Sequence, residues 1–293
     1  MLHSDTKQRN MIYIAARPAV KHSVAEITIS QYRMDRNFDG LAGRFRQQIC
    51  DTLKGRLRLE ILQEDLTTHI PALSDSTDGN HPLTILDAGG GIGQQSAMLA
   101  ARGHRVILCD ISADMLALAR EEYARTAPDA DIRFLHCPIQ SLPEHLDKPV
   151  DLVLLHAVLE WLKQPREVLA VLPTLTRPDG WLSILFYNRN ALIWRHLMNR
   201  NFRLACQEQF ENRKNPLTPA RPLDPAEVYE WLSTSGLSVK AWSGIRAIHD
   251  HMPKPIRDMT PEKDLLQVER HFGRKSPYRD LARYVHMLCQ KAG

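Results

Sequence analysis

Residues 83–93 read Leu83-Thr84-Ile85-Leu86-Asp87-Ala88-Gly89-Gly90-Gly91-Ile92-Gly93, and Asp110 closes the next apolar run. An apolar segment running into glycines is a buried strand entering a tight turn before a helix. In folds that alternate strands and helices, ligands lie at the carboxyl ends of the strands. There the glycines let a ligand approach the backbone, and an acid ending the second strand grips a ribose diol. A nucleoside ligand follows. The spacing decides which one: a dinucleotide fingerprint needs glycine at position 94, but this chain has Gln94, and Gly89, Gly91 and Gly93 form GxGxG instead. That favours S-adenosylmethionine over NAD. Asp87 is expected to support the loop and the methionine end, and Asp110 to accept from both ribose hydroxyls. Ile139-Gln140, following the third strand, is placed to flank the adenine, unless both are plain loop residues.

Outward from the loop the chain alternates. Residues 83–87, 105–110, 132–137, 150–156 and 181–187 read as strands, and 94–102, 112–126 and 166–175 as helices, with Ser112 as an N-cap and Gly103 closing the first helix. Strands this apolar, separated by helices, imply a parallel sheet covered on both faces, a doubly wound, Rossmann-like α/β fold. Ahead of it, Leu41, Phe45, Ile49, Leu53, Leu57, Ile61, Leu62 and Leu66 recur at helical spacing, giving one or two amphipathic helices. Residues 34–82 are thus a helical lead-in ending in a polar linker at 74–82, and 1–33, without sustained period, read as a poorly ordered arm. After Tyr187 comes a basic insertion, 188–222, with Leu192, Trp194, Leu197 and Met198 at helical spacing. Asp224, Pro225 and Gly236 bracket a further helix. Residues 237–249 and 284–290 read as the last two of seven strands, joined by a long connection rich in His, Pro and charge. The cofactor core is expected at 83–188, and the substrate-binding insertions and final strands at 189–293.

Composition excludes several classes. The 293 residues are 43% apolar and 25% charged, an ordinary globular balance that argues against disorder or collagen-like structure. No run approaches about 18 consecutive apolar residues, and 1–20 lacks a signal-peptide pattern, so an intracellular, cytoplasmic protein without a membrane anchor is expected. The five cysteines are scattered and never in a CxxC pair, against a disulfide framework or a zinc cage. His249 and His251, with no third ligand nearby, do not make a metal site. Net charge is +4, unevenly spread: residues 1–188 hold 20 basic and 23 acidic groups, and 189–293 hold 18 and 11. The C-terminal third is therefore +7 against −3 for the remainder. Such asymmetry fits an anionic partner, usually nucleic acid, although scattered solvated charge is the plainer cause.

Several motifs are narrower than the glycine loop: Asp35-Arg36-Asn37-Phe38-Asp39, Lys54-Gly55-Arg56-Leu57-Arg58, His156-Ala157-Val158-Leu159-Glu160-Trp161, Phe186-Tyr187-Asn188 and Arg283-Tyr284-Val285-His286. With them the chain resembles class I methyltransferases and, more narrowly, the tRNA 5-carboxymethoxyuridine methyltransferases, over about 34–290. The resemblance implies methylation of the carboxylate of 5-carboxymethoxyuridine at the tRNA wobble position, giving the methyl ester. It also implies cofactor contacts at Arg58, Gly89, Gly90, Asp110, Ile139, Gln140 and His156. Ile139 stands where a smaller residue is usual, and the arm has no counterpart.

A carboxylate nucleophile, with an ordinary pKa near 4, is already ionised at neutral pH, so no general base and no catalytic dyad are expected. The need is for a cation that orients it, and the bidentate fork of Arg suits this best. Arg58 is placed to pair with the methionine carboxylate; alone, an Arg on an amphipathic helix is more often a solvated face, and only the resemblance lifts it above that. His156 ends the fourth strand beside the cofactor, or is a hydrogen-bonded core histidine. For the substrate the expected residues are Tyr187, Arg246 and His249. Tyr187 would stack on a splayed wobble base or pack on core, and Arg246 would meet the carboxylate from a strand or merely solubilise an edge. Arg189, Arg195, Arg200, Arg203, Arg213 and Lys214, interleaved with Trp194 and Phe202, fit a phosphate-contacting surface. Two other readings stay open: a methyltransferase of a small carboxylic acid, and a nucleoside-binding protein without turnover.

Overall fold

Successive residues of a strand point to opposite faces, and in this chain both sets are apolar, so each strand feeds two cores. The structure, a computed structural model, describes residues 35–50, 52–73, 81–208, 210, 216–219 and 221–293. The expected arm, most of the expected linker, Arg213 and Lys214 lie outside the described residues. Strands β1 (Thr84–Ala88), β2 (Arg105–Asp110), β3 (Ile132–His136), β4 (Val150–His156), β5 (Thr176–Tyr187), β6 (Leu237–Ile245) and β7 (Tyr284–Lys291) form one sheet in the order β3-β2-β1-β4-β5-β7-β6. β1 to β5 are parallel, and β7 runs antiparallel between β5 and β6.

The helices are α1 (Ala42–Phe45), continued by a π-helical turn (Arg46–Cys50), α2 (Leu53–His69), α3 (Gln94–Ala100), α4 (Ala113–Thr126), α5 (Pro165–Leu175), α6 (Arg189–Met198), α7 (Phe202–Gln207), α8 (Pro225–Thr234), α9 (Lys254–Met259) and α10 (Glu262–Phe272). On one face Ile85, Val106, Leu108, Leu152 and Leu154 meet Leu66 of α2, Ala97 and Leu99 of α3, and Leu116 and Tyr123 of α4. On the other, Leu86, Val153, Leu155, Ile184, Phe186 and Met287 meet Leu169 and Leu172 of α5 and Val228 and Leu232 of α8. The chain builds outward from β1 to β3 and then returns to lay β4 on the other side of β1. A crevice therefore opens at their carboxyl ends, between the glycine loop and His156.

β5 begins at Thr176, five residues before the expected start, and two stretches further on also differ from expectation. The strand expected over 237–249 stops at Ile245, because Arg246 has φ +60° and turns the chain. The next three N–H groups, of Ala247, Ile248 and His249, donate to the buried Glu269 carboxylate of α10 at 2.7, 3.1 and 2.8 Å. The long connection before β7 is largely helical, and Leu266 of α10 packs with Ile61 and Leu62 of α2. Cys109, Cys137 and Cys289 are buried thiols, and Cys206 is exposed.

A polar seam crosses this core. Asp65 of α2, 1% exposed, bonds His286 Nδ1 at 2.8 Å and accepts from Arg274 at 2.7 Å. His286 Nε2 lies 2.9 Å from Ser183 Oγ, which in turn lies 2.7 Å from His156 Nε2. Burial alone would raise the Asp65 carboxyl, but the His286 hydrogen bond and the Arg274 charge outweigh it and hold it below its ordinary value. The apolar layer is the larger contributor to stability. Phe186 is fully buried, so Phe186→Ala should cost about 3–5 kcal/mol. Urea unfolding checks this: the midpoint should fall at constant slope, and a loss under about 1 kcal/mol would contradict the packing described.

Candidate active site

The crevice begins at the loop after β1. Gly89, Gly91 and Gly93 have φ of +70°, +57° and +71°, a conformation that costs residues with a Cβ roughly 1–2 kcal/mol each. A Cβ on Gly90 would lie 2.7 Å from the Asp87 carboxyl, whereas one on Gly91 would meet nothing within 4 Å. The loop is thus closed below and open above. Gly91 N–H donates to Asp110 Oδ2 at 2.9 Å and Ser112 N–H to Oδ1 at 2.8 Å, fixing the carboxylate while leaving each oxygen capacity to accept once more. Burial pushes the Asp110 carboxyl up, against these two bonds. Asp87 accepts from the Ser96 hydroxyl, and burial, reinforced by Asp110, pushes it up to about 7.

Arg58, Asp87, Gly89, Gly90, Asp110, Ile139, Gln140 and His156, from five separate segments, all line this cleft, with Phe38 and Trp161 beside them. Arg58 has no ion-pair or hydrogen-bond partner among the described residues. The buried Oε1 of Gln94 likewise has none. Gln140 Nε2 donates to Asp35 at 2.9 Å, and Ile139 is an apolar wall. His156 is pushed well below its ordinary pKa by burial, with the charges of His286 and Arg58 adding to it, so the ring is neutral. With Nε2 on Ser183, its Nδ1 is the nitrogen left for a ligand. An acid able to accept two hydroxyls, an apolar wall and a free guanidinium suit an elongated nucleoside that carries a carboxylate.

A methyltransferase-domain family model matches residues 86–184. The tRNA 5-carboxymethoxyuridine methyltransferase of Escherichia coli (strain K12) is 39% identical over 257 residues, 88% of this chain and 97% of that protein. The chain belongs to the tRNA 5-carboxymethoxyuridine methyltransferase family. The trans-aconitate 2-methyltransferase of Rhodococcus jostii (strain RHA1) is 29% identical over 218 residues, 67% of this chain and 80% of that protein. The crystal structure of magnesium protoporphyrin IX methyltransferase from Synechocystis PCC 6803 shares the fold, with a TM-score of 0.54 at 16% identity, covering 92% of this chain and 99% of that one.

In this member of the tRNA 5-carboxymethoxyuridine methyltransferase family, the chain beyond β5 builds a second cluster. Arg246 and His249 converge there on Asp250, whose side chain is 6% exposed, and Tyr187 joins them through Arg283. Asp250 accepts from Arg246 Nε and its terminal nitrogen at 3.0 and 2.6 Å and from Arg283 Nε at 2.6 Å, and it bonds His249 Nδ1 at 2.8 Å. Arg283 also donates to the Tyr187 hydroxyl at 2.8 Å. Burial would raise Asp250, but Arg246, His249 and Arg283 together hold it well below the ordinary carboxylate range.

These contacts correct two expectations. Arg246 is not on a strand, and its fork is already filled by Asp250. Tyr187 is 5% exposed with Tyr284 packed edge-on at 5.4 Å, so it offers no open face for stacking. Arg189, expected on a phosphate surface, is paired with Asp224. His251 bonds Leu281 O, and no group of three His, Cys, Asp or Glu among the described residues could hold a metal ion. Asp250 and Arg283 were not expected at the site, since contacts spanning 33 to 96 residues leave no local pattern.

Glu160 was also missed, although an acid between Leu159 and Trp161 is an audible signal. It is 2% exposed, no side chain bonds either oxygen, and burial pushes it up to about 8 against the pull of the Glu160 and Tyr187 backbone N–H groups and the Arg58 charge. Because its folded pKa lies above the unfolded value, the stability that Glu160 contributes is fully present below about pH 4 and is lost as pH rises toward 8. Glu160→Gln should therefore match the parent near pH 5 and exceed it increasingly above, by roughly 3–5 kcal/mol near pH 9. Thermal melts across that range check it, and parallel profiles would refute the burial of this carboxyl.

Proposed function

We propose that this protein transfers a methyl group from S-adenosylmethionine to the carboxylate of 5-carboxymethoxyuridine at the wobble position of tRNA, forming the methyl ester. The observation that carries this is kinship over 97% of the length of an enzyme named for that tRNA nucleoside, joined to a cleft whose donors and acceptors suit the cofactor. When bound, S-adenosylmethionine supplies an electrophilic methyl group on a sulfonium. Asp110 accepts from both ribose hydroxyls, and Ile139 and Gln140 flank the adenine. Gly89 and Gly90 let the backbone approach, with Asp87 supporting them from below. Arg58 pairs with the methionine carboxylate, and the neutral ring of His156 lines the methyl end without adding a second positive charge there.

The substrate carboxylate is ionised at neutral pH, so no side chain takes a proton and the residues act by orientation. Residues 83–188 hold the cofactor, residues 189–293 the tRNA, and the helical lead-in joins them through Arg58. Tyr187, Arg246 and His249 serve the substrate indirectly, as the Asp250 framework beneath it. Nucleic acid also accounts for the +7 balance of the C-terminal third. We place the protein in the cytoplasm with its tRNA; no helix among the described residues is long and apolar enough to cross a membrane.

Incubation with S-adenosylmethionine and tRNA from cells lacking the enzyme should add one CH2 to 5-carboxymethoxyuridine, read by nucleoside mass spectrometry. No gain with cofactor still bound would overturn the reading in favour of a small acid, whose binding would also respond little to salt. Asp110→Ala removes two charge-assisted hydrogen bonds of about 1.5–3 kcal/mol each and should weaken cofactor binding at least 100-fold. Calorimetric titration measures this, and unchanged affinity would refute the ribose contact.

A further inference from the structure

The cluster around Asp250 holds more positive charge than its own contacts use. Lys54, Arg195, Arg246, Arg257 and Arg283 surround a single buried carboxylate. Arg246 and Arg283 are bound to Asp250. The Lys54 ammonium and the Arg195 guanidinium have no hydrogen-bond or ion-pair partner among the described residues, and the Arg257 guanidinium has only Asp258 at 3.8 Å, beyond hydrogen-bonding distance. These three and Asn199 line an open cavity floored by Asp250 and Arg283. The crowding shows in Lys54, whose ammonium is pushed below its ordinary pKa by burial and by Arg246, Arg257 and Arg283, against the pull of Asp250. Like charges held this way are relieved by an anion placed among them.

Position narrows the anion. Lys54 precedes Arg58 by one turn of α2, so their Cβ atoms lie about 5–6 Å apart on one helix face, with one side chain in each cavity. Arg283 lies at the carboxyl end of β5, beside Tyr187. Both cavities therefore open along one edge of the sheet, on neighbouring turns of α2. The elements that supply Arg195, Asn199 and Arg257, together with the adjoining α7, leave Met198, Phe202, Ile256 and Met259 exposed. Cations set among exposed apolar and aromatic side chains suit a strand with charged phosphates and unstacked bases, not a free acid.

We infer that Lys54, Arg195, Asn199 and Arg257, above the Asp250–Arg283 pair, form a binding site for a phosphodiester of single-stranded RNA adjacent to the target nucleotide, separate from the carboxylate that is methylated. The inference rests on the tRNA reading above. Asp250 fixes Arg283 beneath the anion, Lys54, Arg195 and Arg257 hold it from the sides, and α2 sets its distance from the cofactor.

The test is binding of the full-length protein and its Arg195→Gln, Arg257→Gln and double variants to tRNA carrying 5-carboxymethoxyuridine and to the same tRNA with uridine there, over a salt series. S-adenosylmethionine affinity serves as the check on folding. Each variant should bind both tRNAs at least about fivefold more weakly, with the slope of log K against log salt shallower by about 0.7 per lost phosphate contact. A loss confined to the tRNA bearing the carboxylate would overturn the proposal, making the cavity a carboxylate clamp. Unchanged affinity of the variants for both tRNAs would equally overturn it. If the unaltered protein methylates that tRNA while the variants bind normally, this site alone is refuted, whereas absence of methylation refutes the tRNA reading itself.

Discussion

Where the strand order of a parallel sheet reverses, the connections leave in opposite directions and a crevice opens beyond the carboxyl ends of the strands, here those of the paired strands β1 and β4. Everything functional is arranged around it. The backbone must leave β1 through left-handed turns at Gly89, Gly91 and Gly93, and Asp110 must end β2 where it can catch the Gly91 N–H. His156 must end β4 on the opposite wall. None of these positions is free to drift, because the alternating residues just behind them, Ile85 and Leu86 or Leu154 and Leu155, are buried in two separate cores. A one-residue slip of either strand would exchange the two faces and dismantle both.

Buried acids sort by what surrounds them. Asp65 and Asp250 are as deeply buried as Glu160, yet both are held below the ordinary carboxylate range while Glu160 is pushed up to about 8. The difference is partnership: Asp65 has His286 and Arg274, Asp250 has two arginines and a histidine, and Glu160 has no side chain bonded to either oxygen. Glu269, which gathers three backbone N–H groups but no cation, is likewise raised by burial. Desolvation decides where dipoles alone oppose it, and direct charge pairing overrides it. Removing one partner of the Asp250 set would therefore cost more than the set contributes net, since a charge would remain buried without compensation.

The cofactor cleft was legible in the sequence because strand ends are local features: the run Ile107-Leu108-Cys109-Asp110 announces both the strand and the acid that closes it. The Asp250 cluster was legible only in part. Arg246 sits in Gly244-Ile245-Arg246-Ala247-Ile248, whose alternation imitates a strand, and the true turn depends on Glu269 arriving from a helix 20 or more residues later. Tyr187 and His249 were drawn from the right neighbourhood, yet their contacts run through Arg283 and Asp250, which no spacing rule connects. The His156–Ser183–His286–Asp65 seam is a tertiary object of the same kind, joining two strands and a helix.

Helix α2 links these parts. Its apolar residues Ile61, Leu62 and Leu66 bind it to the sheet, and Asp65 ties it through His286 and Ser183 to His156. On the face that looks toward the carboxyl ends of the strands, Arg58 reaches the cofactor cleft and Lys54 the cationic cavity. A helix is stiff over one turn, so a shift of α2 moves both side chains together and cannot alter one site while sparing the other. Methyl transfer depends on holding the nucleophile at a short, fixed distance from the methyl carbon, and misplacement by about 1 Å can cost 10²-fold. A single buried carboxylate that anchors α2 thus acts on both sites at once, which accounts for placing a charge as costly as Asp65 among the buried apolar residues Ile61, Leu62 and Leu66.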